Sequence, residues 1–247
     1  MHFLLLMAAG LLAGTMNAVA GGGSFVSFPI MVIAGLPPIA ANATSTVALF
    51  PGTIASTWAY REDLQGIAGI SLKVLLPISM CGGLVGAILL LVTPGSAFDL
   101  VIPWLLLLAT LTFAGGRHLG DWLRRYVRIG RGAFLVIQFI LSIYGGYFGG
   151  AIGLMMMAVW ALIDAAELKA MAPTRTALVS AANGAAVLCF VTAGAVHWPE
   201  MLAMMVSAIA GGYYGARFAR HLPPAVLRWF VVALSATVTI TFFLRRY

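Results

Sequence analysis

The chain has 247 residues, of which 62% are hydrophobic and 9% are charged, whereas soluble domains average roughly 45–50% apolar and about 25% charged residues. This composition excludes an ordinary soluble globular protein and predicts an all-α polytopic membrane protein, with residues 1–247 forming a single transmembrane domain. The formal net charge of +7 arises from 14 Lys and Arg against 7 acidic residues; because the basic residues are scattered between apolar runs, they indicate loops that orient membrane helices and not a nucleic-acid site.

Eight apolar segments follow one another along the chain. A helical span needs about 20 apolar residues, and the segments cover residues 2–35, 41–60, 71–92, 99–116, 132–165, 174–194, 200–216 and 225–244. The first and the fifth segments are too long for one span, and each contains a glycine-rich interruption. Both of these segments fit either one long tilted helix or the two arms of a broken helical hairpin.

The second half of the chain repeats the glycine pattern of the first. A single gap-free alignment of the two halves, which we call the repeat register, superimposes identical residues: Gly14 on Gly146, Gly21 on Gly153, Thr44 on Thr176 and Gly52 on Gly184. A second block, residues 81–87, matches residues 210–216 in a slightly shorter register, and helix packing is the simplest role for its Gly82-x-x-x-Gly86 motif. We therefore predict repeat 1 (residues 1–116) and repeat 2 (residues 132–247), joined by a basic cytoplasmic loop.

The distribution of Lys and Arg favours the hairpin interpretation, because cytoplasmic loops carry an excess of basic residues. If both long segments cross the membrane an even number of times, zero or two, all basic residues except Arg245 and Arg246 fall on the cytoplasmic side. Each repeat then crosses the membrane an odd number of times. One repeat is consequently inverted relative to the other, as in secondary transporters built from inverted repeats.

The glycine-rich interruptions predict an anion site. Irregular backbone at membrane depth is tolerated only inside protein or beside a polar cavity, and free amides at a helix N-terminus attract anions. We therefore predict substrate binding at both interruptions, with Ser24 capping the second arm of the first one. The predicted residues are Asn17, Gly21, Gly22, Gly23 and Ser24 in repeat 1 and Gly149 and Gly153 in repeat 2.

A polar cluster begins the span after each interruption. Hydroxyl and amide groups can replace the water around an anion, and an arginine can bind an oxyanion at two points, although it also serves as a positive-inside anchor. The predicted substrate-binding residues are Asn42, Thr44 and Ser45 in repeat 1 and Thr174, Arg175 and Thr176 in repeat 2. Asn183 lies at hydrocarbon depth, where an amide requires a partner; it either lines the pathway or bonds between helices.

Other site chemistries find little support in the sequence. Acidic residues are scarce and none lies at the centre of a span, which argues against a carboxylate-lined cation pathway; Asp164 is the one acid to test for proton coupling. Histidine and cysteine do not occur at metal-ligand spacing, and neither a catalytic triad pattern nor a phosphate-binding GxxxxGK[ST] motif is present. We predict no catalytic residue, no metal site and no cofactor.

The interruption and the polar cluster together resemble a known family. The stretch Gly14-Thr-Met-Asn-Ala-Val-Ala-Gly-Gly-Gly-Ser24, with Pro29, Asn42-Ala-Thr-Ser45 and a degenerate second copy that carries Asn183, is similar to the TauE/SafE sulfite exporter family over essentially the whole chain. The resemblance implies transport of sulfite, thiosulfate, sulfoacetate, sulfonates or related organic anions across the bacterial cytoplasmic membrane. The second copy departs from the triple glycine at Ala151 and Ile152, which leaves open whether both halves contribute equally to the substrate.

The leading hypothesis is a multi-pass secondary transporter or facilitator of the inner membrane, which binds a small anion between the interrupted segments and exposes it alternately to either side. Its partners are then the anionic substrate and the lipid bilayer, while a homodimer and coupling to protons or sodium both stay open. The alternatives are a membrane-embedded enzyme acting on a lipid or sulfur compound, and a scaffold that only assembles other proteins. Because no paired acid and base or nucleophile lies at membrane depth, we predict that the protein is not an enzyme.

Overall fold

The computed structural model describes residues 2–20, 22–67, 69–123, 130–160, 171–219 and 224–246. Within these ranges the chain forms a short 3-10 helix (Arg61–Asp63) and the following α-helices: α1 (His2–Ala20), α2 (Ser24–Ile33), α3 (Pro38–Ala59), α4 (Leu72–Val92), α5 (Gly95–Leu123), α6 (Arg131–Tyr147), α7 (Ile152–Trp160), α8 (Ala172–Thr192), α9 (Trp198–Ala219) and α10 (Pro224–Arg246). The predicted all-α fold class is confirmed.

Local sequence explains where several helices begin. Pro38 and Pro173 lie in the first turns of α3 and α8, where the missing proline N–H removes no helical hydrogen bond. At the start of α4 the Ser71 hydroxyl accepts a hydrogen bond of 3.3 Å from the backbone nitrogen of Lys73. Several boundaries differ from the predicted segments by a few residues, and the end of α5 differs most: the helix continues to Leu123, into the predicted basic loop. Hydropathy marks the end of an apolar run, whereas a helix can continue with polar residues beyond it.

Several helices have the length and surface of membrane spans. Among the described residues, three are long and apolar enough to cross a membrane: Leu72–Val92, Gly95–Thr112 and Ala172–Thr192. Large hydrophobic side chains remain exposed on the outside of the helices, for example Leu4 (73%), Leu188 (67%) and Leu244 (80%). Exposed apolar surface of this extent is unusual for a soluble monomer and is expected of a surface that faces lipid.

The fifth apolar segment folds as a hairpin. Helix α6 ends at Tyr147, and α7 begins at Ile152. The Ile152 side chain packs directly on Gly145, and the indole nitrogen of Trp160 donates a 3.3 Å hydrogen bond to Oε1 of Gln138. Later residues of α7 thus contact earlier residues of α6, so the two helices run antiparallel.

The first apolar segment also turns back on itself. Helix α1 ends at Ala20, and α2 begins at Ser24. A Cβ atom placed on Gly23 would lie 2.6 Å from the carbonyl oxygen of Ala13 and 3.0 Å from Cβ of Asn17. Residue 23 therefore lies beside residues 13 and 17, which means that the chain has reversed its direction before α2 starts.

Helices α3 and α8, which correspond in the repeat register, pack against each other in opposite directions. A Cβ atom on Gly184 would lie 3.1 Å from the ring of Phe50, and the hydroxyl oxygens of Thr57 and Ser180 are 2.7 Å apart. Residue numbers rise along α3 as they fall along α8. The two helices are consequently antiparallel.

Helices α5 and α10, the last helices of the two predicted repeats, show the same arrangement. The ring centroids of Trp104 and Phe243 are 5.3 Å apart, and the hydroxyl oxygens of Thr110 and Thr239 are 3.0 Å apart. An inverted relation between two halves requires corresponding helices to run antiparallel where they meet, as both of these pairs do.

The remaining major contacts join one half to the other through glycines. Gly86 of α4 lies against the backbone of Ile143 in α6, and Gly14 of α1 lies against the backbone of Ala208 in α9. Small residues allow such close approach of membrane helices. Because α4 packs on α6 and α1 packs on α9, residues from the first half of the chain interlock with residues from the second half.

A buried polar network fastens the second hairpin to α4. The Gln138 amide nitrogen donates a 3.0 Å hydrogen bond to the Ser79 hydroxyl, while its oxygen accepts the indole N–H of Trp160. All three side chains are almost fully buried. Gln138→Leu leaves the Trp160 and Ser79 groups without this partner, so we expect it to destabilise the folded protein by about 1–3 kcal/mol.

Thermal unfolding of the purified protein in detergent measures this effect. Val136→Leu is the matched control, because Val136 lies on the same helix with 58% of its surface exposed, and exposed substitutions usually change stability by less than about 0.5 kcal/mol. Equal melting temperatures for the two variants would show that the network contributes no net stability.

Candidate functional site

The second interruption, residues 148–151, contains two backbone conformations of the left-handed region. Gly149 has φ 78° and Ala151 has φ 59°. For a residue with a side chain this conformation costs roughly 1–2 kcal/mol, and such strain is concentrated at functional sites. Ala151 thus adopts a conformation that suits glycine, at the place where the second copy departs from the triple glycine.

Arg175 reaches this interruption from the first turn of α8. A Cβ atom placed on Gly153 would lie 3.2 Å from Cδ and 3.5 Å from Nε of Arg175, so the arginine side chain lies directly against the first turn of α7. Arg175 is partly exposed, and its guanidinium forms no ion pair or hydrogen bond with the described residues. Asp164 and Glu167 lie outside the described residues.

The first turn of α7 presents free amides next to this arginine. The earliest backbone bonds of the helix run from the nitrogens of Leu154 and Met155 to the carbonyl oxygen of Ala151, at 3.0 and 3.1 Å. The N–H groups of Ile152 and Gly153 have no acceptor among the described residues. Free amides and the positive end of the helix dipole favour an anion, and the adjacent guanidinium strengthens this preference.

Residues of the first half also contact the second interruption. Asn42 is buried, and its side-chain nitrogen donates a 3.0 Å hydrogen bond to the carbonyl oxygen of Tyr147 at the end of α6. The ring of Phe28 in α2 packs edge-on against Phe148, with the centroids 5.7 Å apart. The two hairpins therefore meet at the second interruption. The Asn42 side-chain nitrogen is already hydrogen-bonded there to a backbone carbonyl.

The first interruption is more tightly filled. Gly22 and Gly23 are buried, and the space beside Gly23 is taken by α1, including the partly exposed Asn17. The prediction that Ser24 caps α2 is wrong: Ser24 is already the first helical residue, Gly23 precedes it, and no side chain caps the helix. Gly21, also predicted to bind substrate, lies outside the described residues.

The polar clusters at the starts of α3 and α8 hold two loops. The backbone nitrogen of His197 donates a 3.1 Å bond to Thr44 Oγ1, a contact that we call the Thr44 clasp. Thr174 Oγ1 accepts a 3.1 Å hydrogen bond from the backbone nitrogen of Gln65 and donates a 2.7 Å hydrogen bond to the carbonyl oxygen of Gln65. We call this pair of bonds the Thr174 clasp. Because α3 and α8 are antiparallel, the two clasps lie at opposite ends of the helix pair.

The two other predicted hydroxyls bind nearby protein groups. Ser45 is buried, and its Oγ atom lies 2.6 Å from Oγ of Ser27, which also bonds to the carbonyl oxygen of Gly23 at 3.1 Å. Thr176 donates a 2.9 Å bond to the carbonyl oxygen of Ala172 in its own helix. Both hydroxyls are therefore engaged by protein groups.

Two buried polar atoms have no hydrogen-bond partner among the described residues: Oδ1 of Asn183 and the hydroxyl of Tyr144. Asn183 was predicted to be functional because an amide at hydrocarbon depth requires a partner. Tyr144 was missed, because a tyrosine inside an apolar run has the pattern of a packing residue. Only the packing of the helices reveals that its hydroxyl is buried without a partner among the described residues.

Gln65 and His197 were also missed as partners of the polar clusters. Both lie in loops and contribute backbone atoms, so their side-chain chemistry gives no signal. The repeat does give a signal, however, because residues 65 and 197 occupy the same position in the repeat register. The loop after α3 thus binds the start of α8, and the loop after α8 binds the first part of α3.

Comparisons with known proteins agree on the kind of protein. The chain is 28% identical over 240 residues to a probable membrane transporter protein, ORF9, of Sinorhizobium sp., covering 95% of this chain and 90% of that protein. It is 26% identical to a probable membrane transporter protein of Haemophilus influenzae (95% and 92% covered) and 24% identical to the probable membrane transporter protein YfcA of Escherichia coli K12 (93% and 85% covered). No solved structure matches the chain.

The family model described as sulfite exporter TauE/SafE matches residues 6–242. This range begins within α1 and ends within α10, so it includes both hairpins, both clasps and Arg175. The match thus covers nearly the whole chain, and the relatives are named as membrane transporters over similar lengths. The protein belongs to the TauE/SafE sulfite exporter family of membrane transporters.

Proposed function

We propose that this protein is a secondary transporter or facilitator that carries small anions of the sulfite, thiosulfate, sulfoacetate or sulfonate class across the bacterial cytoplasmic membrane. The observation that carries the proposal is the contact between the Arg175 side chain and Gly153 at the N-terminal end of α7. The family description supplies the sulfur chemistry, and the contact supplies a place for a negative charge.

The charge balance of this site favours an anionic ligand. A charged side chain packed against protein is costly unless it is paired, hydrogen-bonded or reaches water. The Arg175 guanidinium has neither a carboxylate nor another hydrogen-bond partner among the described residues. A small oxyanion satisfies the guanidinium at two points and the free amides of α7 at the same time.

Polar side chains lie at the contact between α3 and α8. Thr53, Thr57, Ser180 and Asn183 are partly exposed along the two helices, and Ser180 donates a 3.1 Å hydrogen bond to the carbonyl oxygen of Thr53. Polar side chains at membrane depth rarely face lipid. We therefore assign this face to a water-accessible pathway that reaches Arg175.

The mechanism we propose is alternating access between two inverted repeats, residues 1–116 and 132–247. Its support is the antiparallel packing of the corresponding helices and the position of the clasps at opposite ends of α3 and α8. In each half-cycle one clasp opens while the other stays closed, so that the anion site faces one side of the membrane at a time. No chemical conversion of the anion takes part in this cycle.

Arg175 variants test the anion site. Purified protein is screened for thermal stabilisation by sulfite, thiosulfate, sulfoacetate and ethanesulfonate, since a ligand of the folded state raises its stability by mass action. We expect Arg175→Lys to weaken binding at least tenfold, because lysine cannot make the two-point contact, and Arg175→Gln to abolish it. Flux of the stabilising anion into proteoliposomes is expected to fall in the same order.

Arg61→Gln is the matched control, because Arg61 is half-exposed and pairs with Glu62 at the end of α3. This variant is expected to bind and transport like the wild type. Equal stabilisation of wild type and Arg175→Gln by the same anion would show that the anion binds elsewhere in the protein. If none of the four anions stabilised the protein, the proposed class of substrates would be excluded.

A further inference from the structure

Tyr60, the residue that follows α3, lies at the same level of the helix pair as Arg175 in α8. The two helices are antiparallel, and Thr57 of α3 meets Ser180 of α8. Moving three residues forward from Thr57 along the chain therefore corresponds to moving about three residues back from Ser180. This register places Tyr60 within one helix turn of Arg175 along the axis of α8.

Other contacts at this end of the helix pair agree with the register. The 3-10 helix that begins directly after Tyr60 lies against α8. Thr174, the neighbour of Arg175, holds the backbone of Gln65 through the Thr174 clasp. The Tyr60 phenol also interacts electrostatically with the Arg175 guanidinium. The end of α3 and the start of α8 thus bring these two side chains near each other.

No direct polar contact joins the two side chains. Tyr60 and Arg175 share neither a hydrogen bond nor a cation–π contact, and the Tyr60 hydroxyl has no hydrogen-bond partner among the described residues. Tyr60 is 46% exposed and Arg175 is partly exposed, so a dissolved ion can reach both. A small oxyanion has acceptors for the guanidinium at two points and for the phenol O–H as a further donor.

The opposite end of the helix pair lacks this combination of groups. In the repeat register Arg175 corresponds to Ala43, and Tyr60 corresponds to Thr192. Ala43 is fully buried, and the Thr192 hydroxyl donates hydrogen bonds to carbonyl oxygens of its own helix. The corresponding positions beside the Thr44 clasp therefore offer neither a guanidinium nor a phenol. An anion can be held in this way at one end of the pair only.

We propose that Tyr60 is a second ligand of the anion at Arg175, and that the bound anion bridges the end of α3 and the start of α8 and thereby holds the Thr174 clasp closed. This inference deepens the proposed function and rests on it, because it concerns the same anion. A ligand shifts a conformational equilibrium by its difference in affinity for the two states. The anion contacts both helices only while the clasp is closed, so it favours the closed state.

Tyr60→Phe tests the second ligand, because it removes the phenol O–H and keeps the ring. Affinities of purified protein for ethanesulfonate and sulfoacetate are measured by calorimetry and thermal shift. We expect at least fivefold weaker binding than in the wild type, since hydrogen bonds to charged groups are stronger than those between neutral groups.

Trp58→Phe is the matched control. Trp58 lies two residues before Tyr60, is 69% exposed and contacts Arg61. This variant also alters an aromatic side chain at the end of α3 and is expected to bind both anions like the wild type. Equal weakening by the two substitutions would assign the effect to the placement of this helix end, which overturns the inference.

Disulfide formation across the clasps tests the bridge. One cysteine pair replaces Gln65 and Thr174, and the other replaces Thr44 and His197, in a background without the native cysteines. Saturating ethanesulfonate, which does not react with thiols, is expected to speed cross-linking of the first pair at least threefold and not that of the second. Adding Tyr60→Phe is expected to abolish this acceleration, even at anion concentrations that restore full occupancy.

The remaining outcomes separate this inference from the proposed function. The ligand-free melting temperature is expected to be unchanged in Tyr60→Phe, because the hydroxyl has no protein partner; a lower melting temperature with wild-type affinity would overturn the inference. Acceleration that persists in Tyr60→Phe, or that occurs at both clasps, would also overturn it. If Arg175→Gln abolishes binding while Tyr60→Phe binds like the wild type, the inference alone fails. If neither anion binds the wild type, the proposed anion site fails with it.

Discussion

Gly86→Ala is expected to destabilise the protein strongly, whereas Gly115→Ala is expected to stabilise it slightly. Alanine forms helices more readily than glycine by roughly 0.8–1.0 kcal/mol, and Gly115 lies within α5 with no atom of the described residues within 4 Å of the position of a Cβ. A Cβ on Gly86 would overlap the carbonyl oxygen of Ile143 and lie 2.7 Å from the nitrogen of Tyr147. Backbone atoms cannot rotate away, so α4 and α6 have to separate.

We expect Gly86→Ala to cost about 1–3 kcal/mol, the usual range for overpacking, and the larger Gly86→Leu to prevent folding. Thermal unfolding in detergent gives the sign for the two alanine variants, and size-exclusion chromatography shows whether Gly86→Leu yields monodisperse protein. If Gly86→Ala were as stable as Gly115→Ala, the close contact of α4 with α6 would be absent from the protein in its membrane.

Covalent closure of one clasp is expected to stop transport almost completely. The Thr44 clasp joins the buried Thr44 hydroxyl to the backbone of the exposed His197, and the Thr174 clasp joins Thr174 to the exposed Gln65. If access alternates, each clasp has to open once in every cycle. A disulfide across either clasp prevents that clasp from opening, so the protein cannot complete the cycle.

The cysteine pairs are Thr44→Cys with His197→Cys and Gln65→Cys with Thr174→Cys, in a background where Cys81 and Cys189 are replaced by alanine. We expect anion flux into proteoliposomes to fall to background after oxidation and to return after reduction, with single-cysteine variants as controls. Thermal stabilisation by the anion is expected to persist in at least one of the two oxidised proteins. Wild-type flux with complete cross-linking of both pairs would exclude alternating access through these loops.

The sequence by itself determined the fold class, the positions of most helices and the two interruptions. These are local properties. Hydropathy over about 20 residues marks a helical span, and glycine within a helix weakens it whatever the surrounding fold. The repeat register even related Gln65 to His197, although it did not reveal that both loops bind the starts of opposite helices.

Only the tertiary structure decided which polar residues share a site. Asn42 bonds to Tyr147, and Arg175 meets Gly153, because antiparallel hairpins and glycine contacts bring distant segments to the same depth. The sequence predicted anion binding at both interruptions, yet α1 fills the space beside Gly23, whereas the second interruption lies against a guanidinium. Local pattern identifies a residue's chemistry, but its partner depends on how the helices pack, and neither the unpaired Tyr144 hydroxyl nor the engaged Ser45 could be recognised before that packing was known.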